Sequence, residues 1–324
     1  MINKHFTRFL LESTNSREII YIDNVQSLWS GYGEILRCQL DSPIYSSVIV
    51  KHVRFPDKRD HPRGWNSDLS HKRKVKSYQI EINWYKNYSH QCTNECMVPK
   101  LINFESHKNE IFMILEDLDA QGYNLRKTRV NLDEMFACLN WLANFHAQFL
   151  GQKPADLWKS GTYWHLDTRP DELKVLSDSN LKKAAAKIDL KLKQSPFQTF
   201  VHGDAKLANF CFSQHSFNVA AVDFQYIGGG CGMKDVAYFI GSCLNDKECE
   251  QYEKILLDNY FSELTQSVNN IHPAINSKHL EQNWRELYPV AWADFHRFVK
   301  GWSPGHWKIH SYSEEITRQV ISKL

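Results

Sequence analysis

Residues 199–212 read Thr-Phe-Val-His-Gly-Asp-Ala-Lys-Leu-Ala-Asn-Phe-Cys-Phe, and residues 221–225 read Ala-Val-Asp-Phe-Gln. Asp204 and Asn209 stand five residues apart, and Asp223 follows fourteen later. Two short apolar runs, 210–212 and 219–222, flank the polar stretch 213–218 and predict a hairpin. In such a hairpin Asn209 opens one strand and Asp223 closes its antiparallel partner, so their side chains emerge at the same end. Asp204, one short loop upstream, faces them.

Hard oxygen donors grouped in this way suit Mg²⁺, which usually takes one or two ligands from protein. Asp223 and Asn209 supply them. A charge at the end of an apolar strand is costly unless something uses it, which favours the metal role for Asp223. Asp204 is a separate carboxylate, placed to orient an acceptor hydroxyl and take its proton. Lys206 is within reach of a transferring phosphate. Phosphoryl transfer consists mostly of such positioning and charge neutralisation. Each residue alone has a plainer reading, since Asp and Asn are common turn residues.

Upstream, residues 19–29, 33–40 and 45–53 read as an antiparallel meander with turns at 30–32 and 41–43. Residues 55–68 read as a polar loop, with Ser67 as a cap for a helix carrying Tyr78, Ile82 and Tyr85 at helical spacing. Two further strands are expected at 97–104 and 111–115. Asn131 with Glu134 three residues on predicts a capped helix whose apolar face includes Leu132, Met135, Leu139 and Leu142. Beyond the hairpin the pattern is helical through 252–268 and 284–299. A β-rich lobe, 1–117, thus precedes a helical lobe, 118–324.

The combination resembles the aminoglycoside phosphotransferase and choline kinase superfamily, most of all its ecdysteroid-kinase-like branch. The resemblance covers most of the chain. It includes Lys51 on the third strand, Glu81 in Tyr78-x-x-Glu81-x-x-Trp84-Tyr85, the hinge Leu115-Glu116-Asp117-Leu118, the helix end Leu142-Ala143-Asn144-Phe145-His146, and the two motifs quoted above. It implies an α+β, bilobal, protein-kinase-like fold. That fold has a five-stranded antiparallel sheet with one helix, then a mainly helical lobe with a small catalytic hairpin. It also implies a Mg²⁺-dependent enzyme moving the γ-phosphoryl of ATP or GTP to a small hydroxylated acceptor. Lys51 and Glu81 would pair at the nucleotide, with Glu116 and Leu118 at the hinge. From the residues alone, a solvent-facing edge strand is the plainer reading of Lys51, and Glu110 or Glu116 are alternative partners for it. Gly31 and Gly33, in Ser30-Gly31-Tyr32-Gly33, either cover phosphates with backbone N–H groups or form a plain hairpin turn. His202 and His146 read as structural. Asp235 reads as a helix cap that ties down the preceding loop.

Three departures separate the chain from protein kinases. Gly203 stands where those enzymes carry an Arg, Gln225 replaces the Gly of Asp-Phe-Gly, and only a dozen residues separate Asp223 from Asp235. No room remains for a long peptide-seating segment, so a small acceptor in a closed pocket is expected. Trp164, His165, Trp292, Asp294, Trp302, His306 and Trp307 are candidates for its wall; aromatic faces with one carboxylate suit a cationic acceptor such as an amino alcohol, and a flat polycyclic or sugar alcohol as well. For the Trp residues, core packing is the competing reading. A protein kinase or a non-catalytic nucleotide binder on the same fold remain the alternatives.

The formal charge of +2 excludes a general field for nucleic acid, and the basic run 71–76 is either a solvated helix start or an attractor of nucleotide phosphates. Eight cysteines without a CxxC pair suit a reducing compartment, and no apolar run suggests a signal or a membrane span. A cytoplasmic protein with no required protein partner is expected.

Overall fold

The structure, a computed structural model, describes residues 4–28, 31–55, 68–107, 109–214 and 218–324. Ser30 and Ser67 lie outside them. Helix α1 (Lys4–Thr14) leads into β1 (Ile19–Ser27), β2 (Gly33–Leu40) and β3 (Ser47–Arg54). Helix α2 (Asp68–Asn87), β4 (Leu101–His107) and β5 (Glu110–Glu116) follow. The five strands make one antiparallel sheet in the order β1-β2-β3-β5-β4. The meander is as expected. The expected strand 97–104 is displaced, because Met97 bridges to Ala220 instead of joining the sheet.

Side chains alternate across β3 and thereby sort two environments. Val48 and Val50 pack on one face with Phe6 and Leu10 of α1. Ile49 and Lys51 face the other way, into a large cleft. Helix α1 corrects the expectation of a single helix in this region. Its spacing of Phe6, Phe9 and Leu10 was visible in a stretch considered only for targeting.

The remainder is mainly helical. Helices α3 (Leu132–Gln148), α4 (Pro170–Val175), α5 (Ser179–Lys193), α6 (Met233–Cys243), α7 (Asp246–Ile271), α8 (Ser277–Trp302) and α9 (Ser311–Ser322) surround two small ribbons. Strand β6 (Thr199–Val201) pairs with β9 (Gly228–Gly230), and β7 (Phe210–Phe212) pairs with β8 (Val219–Ala221). The Asn131–Glu134 capping box is present at α3. No helix among the described residues is long and apolar enough to cross a membrane.

One carboxyl in α7 makes the fold sensitive to pH. Glu253 Oε2 is buried without a hydrogen-bond partner, and burial pushes the group up to about 7. Its pKa is thus higher folded than unfolded, so folding takes up a proton and stability falls as pH rises from 4.5 to about 7. Glu253→Gln is therefore expected to raise Tm by roughly 2–4 °C at about pH 8 and to change little at about pH 5. Thermal unfolding at both values checks this.

Candidate active site

The segment between β6 and β7 is held from beneath. Asp235, in the first turn of α6, accepts hydrogen bonds from the backbone N–H groups of His202 (2.6 Å) and Gly203 (2.9 Å). It is not the cap, which is Gly232; its carboxylate binds the loop instead. His146 Nε2 meets the same carboxylate at 3.2 Å, and Tyr260 holds His146 Nδ1 at 2.8 Å. His202 spans the motif, with Nε2 donating to Val222 O (3.0 Å) and Nδ1 accepting from the Asp204 N–H (3.2 Å).

Gly203 has a physical reason for being glycine. Its φ is +81°, and a Cβ there would lie 2.1 Å from Tyr226 O and 2.8 Å from Thr162 N. No side chain fits, so the Arg of protein kinases is sterically excluded at this position. Gly203→Ala is expected to cost at least ~2 kcal/mol from left-handed strain and the clash together. Thermal unfolding of the variant measures it.

The three oxygen-bearing residues converge. Asn209 ends a short turn at the start of β7, and its carbonyl accepts the Val222 N–H at 3.0 Å, which fixes Asn209 and Asp223 opposite each other. Asn209 Nδ2 donates to Asp204 O (2.8 Å) and to Asp204 Oδ2 (3.2 Å). Those bonds aim Oδ1 away from the loop, and Oδ1 makes no hydrogen bond among the described residues. Asp204 Oδ2 also receives Lys206 Nζ at 2.9 Å, and Tyr238 donates to Oδ1 at 3.2 Å.

Asp223 leaves β8 with a φ of +71°, a conformation that turns its carboxylate into the cleft. Gln225 Nε2 donates to Asp223 Oδ1 at 2.8 Å, and Lys51 Nζ lies 3.5 Å from the same oxygen. Burial disfavours the Asp223 charge, but Lys51, Lys206 and Lys74 outweigh it and hold its pKa down to about 2. A carboxylate ionised at neutral pH beside an amide oxygen without a hydrogen bond among the described residues is the donor set Mg²⁺ prefers, so the residues present fit that ion.

Lys51 is buried and bonds both Glu81 oxygens, at 2.9 and 2.7 Å. Burial acts against its charge, yet Glu81 and Asp223 hold its pKa above the usual lysine value. Of the three acids considered at the sequence level, Glu81 is the one that meets it. Lys74, from the basic run, donates to Gln225 Oε1 at 2.9 Å and so continues the chain to Asp223. Burial pushes Lys74 down to about 8.

These groups line one cavity of about 1120 Å³ between the sheet and the helices. Leu118 lines it; Glu116 does not, and its N–H is spent on Lys100 O at 3.0 Å. Gly31 and Gly33 sit at the β1–β2 turn outside the lining. A Cβ on Gly33 would fall 2.0 Å from His52 O, so strand packing accounts for that glycine. Arg37, which sequence reasoning passed over, clamps Asp117 at 2.7 and 3.1 Å and also lines the cavity.

Trp302, His306 and Trp307 line the far end. Trp164, His165, Trp292 and Asp294 do not. Trp164 is fully buried and donates to Asp294 Oδ2 at 3.0 Å, while Arg297 takes Asp294 Oδ1 at 2.9 Å. Trp292 packs in the core against Gly241. The wall is made instead by sequence neighbours that turn the other way, among them Tyr163, Arg169, Phe295, Phe298 and Lys308.

A sequence model of the Ecdysteroid kinase-like family matches residues 58–153 and 160–272. No curated protein matches the chain. Among solved structures, a choline kinase from Cryptosporidium parvum Iowa II is similar in fold, at 13% identity over 99% of this chain and 95% of that one, with a TM-score of 0.53. An aminoglycoside phosphotransferase from Streptomyces rimosus, solved with ADP and streptomycin, is 12% identical over 90% of this chain and 100% of that one, with a TM-score of 0.49.

Proposed function

Because this chain belongs to the ecdysteroid kinase-like family, a family of kinase-like phosphotransferases, we propose that it moves the γ-phosphoryl group of ATP or GTP to a hydroxyl of a small molecule, with Mg²⁺. The observation that carries this reading is the convergence of Asp204, Asn209 and Asp223 on one cavity that also holds the Lys51–Glu81 pair. Asp223 and Asn209 Oδ1 would hold Mg²⁺, which when bound neutralises charge on the nucleotide phosphates. Lys51 binds phosphate while Glu81 keeps its long side chain in place. Leu118 and the strand residues Ile35 and Ile49 give the base an apolar slot.

Asp204 orients the acceptor hydroxyl and receives its proton. Its two oxygens are held by Lys206, Asn209 and Tyr238, so the carboxylate is fixed before the acceptor arrives. That preorganisation is where such a site gains rate. Lys206, beside Asp204, neutralises the phosphoryl group in transfer. The acceptor wall is aromatic and basic, and Asp204 is its lone carboxylate among the described residues, since Asp294 is paired in the core. An uncharged or anionic acceptor fits that wall better than an amino alcohol or an aminoglycoside. The eight cysteines are all free thiols, in keeping with a cytoplasmic enzyme. Nucleotide and acceptor are the partners the site calls for; nucleic acid, membrane and a protein subunit have no part in the reaction.

A screen of hydroxylated metabolites and antibiotics, followed by nucleotide consumption, tests the reading. Magnesium-dependent turnover with a small alcohol, and none with a peptide panel, is expected. Turnover with peptides alone would replace it by a protein-kinase function.

A further inference from the structure

Lys308 lies between α8 and α9 and lines the acceptor end of the cavity, yet it is only 8% exposed. Its ammonium is surrounded by aromatic faces: Nζ stands 4.3 Å from the ring centre of Tyr238, 5.3 Å from that of Phe295 and 5.5 Å from that of Trp307. Among the described residues no carboxylate lies within ion-pair distance of it and no acceptor takes a hydrogen bond from it. The contrast with the neighbouring cations is sharp. Arg169 bonds Glu172 at 3.0 Å and Tyr163 O at 2.6 Å, Lys206 bonds Asp204, and Lys51 bonds Glu81.

A buried cation without an anion is costly unless it serves a bound group. Burial accordingly pushes Lys308 down to about 8, against the pull of Asp204. Asp204 attracts it only from beyond ion-pair distance, and the Asp204 carboxylate is already engaged by Lys206, Asn209 and Tyr238. Tyr238 sets the geometry: its hydroxyl donates to Asp204 while its ring supports Lys308. A molecule whose hydroxyl reaches Asp204 therefore passes within reach of Lys308, with aromatic rings on either side.

We propose that Lys308 forms an anion subsite that selects acceptors carrying a carboxylate near the hydroxyl to be phosphorylated, so that the acceptor is a hydroxylated organic acid with an apolar body. The proposal rests on the phosphotransferase reading for the hydroxyl's fate. The recognition itself is a binding property of Lys308, Tyr238 and the flanking aromatic rings. The ammonium has three N–H donors, and no acceptor among the described residues takes a hydrogen bond from any of them, so they remain available to a group bound in the cavity that Lys308 lines. A carboxylate there gains charge-assisted hydrogen bonds in a largely desolvated place.

The test is a ligand titration without nucleotide, which keeps its outcome separate from that of phosphoryl transfer. The full-length protein is titrated with cholate and with mandelate, each against its uncharged methyl ester. The signal is the heat of binding in calorimetry, which does not depend on which of the ten Trp residues senses the ligand. The wild type is expected to prefer at least one acid over its ester by about tenfold or more, the factor that one charge-assisted hydrogen bond supplies. Lys308→Met should abolish that preference, and Lys308→Arg should retain much of it. Equal affinity for acid and ester in the wild type, absence of binding by both acids, or a preference that survives in Lys308→Met would each overturn the subsite. None of these would bear on magnesium-dependent turnover with some other alcohol, which tests the phosphotransferase reading separately.

Discussion

Asp204→Ala is expected to lower kcat by about a hundred- to ten-thousandfold while nucleotide affinity stays nearly native. The side chain points at the acceptor end of the cavity, where Tyr238 and the aromatic wall stand, and its partners are Lys206, Asn209 and Tyr238. Asn209 keeps its shorter bond, 2.8 Å to the Asp204 backbone carbonyl, when the side chain is removed, so its Oδ1 stays aimed and the nucleotide side of the site is largely preserved. The loss therefore falls on an interaction made in the transition state, which is the signature of a reduced kcat with unchanged nucleotide binding. Because phosphoryl transfer is loose, orientation of the hydroxyl matters beside basicity. Asp204→Asn keeps an oxygen that accepts a hydrogen bond and should retain slightly more activity than Asp204→Ala. Steady-state turnover with calorimetric nucleotide titration on both variants checks this. A folded Asp204→Ala that no longer binds nucleotide would move the residue from base to metal ligand.

Asp223→Asn is the second large effect. If Asp223 is the carboxylate that holds Mg²⁺, its replacement takes away the anionic ligand, and turnover at ordinary magnesium should fall on the order of a hundredfold or more. The fold should survive. Lys51 keeps its two bonds to Glu81, and Gln225 remains tethered to Lys74 and Ser77 at 2.9 and 3.1 Å. Thermal unfolding separates this from a collapse of the site. Near-normal kcat at ordinary magnesium would remove Asp223 from the metal.

The centre of the site was legible because it is local in sequence. Asn209, Asp223 and the hairpin between them lie within fifteen residues, and antiparallel pairing alone places both side chains at one end. Lys51 was legible through a resemblance, and the alternation of β3 explains why it faces inward where Val48 and Val50 do not. The acceptor wall was not legible. Trp164 and Tyr163 are adjacent, yet the first is sealed in the core on Asp294 and the second faces the cavity. Helix packing decides between them, and no periodicity in the loop 161–169 reveals it. Asp294 misled for a related reason, since its partners come from a distant loop and from one helical turn along α8. Lys308 carried no motif at all; its want of an anionic partner among the described residues exists only in three dimensions.

Label transfer decides whether Asp204 and Asp223 serve the movement of a nucleotide's γ-phosphoryl group to a small molecule. The protein is incubated with Mg²⁺, γ-labelled ATP or GTP and the dialysable fraction of a cell extract, beside the Asp204→Ala and Asp223→Asn variants. Label is expected in a small hydroxylated molecule with the wild type, lost on chelation of magnesium and nearly absent with either variant. Label confined to protein, or equal label in a small molecule with all three proteins, would contradict it.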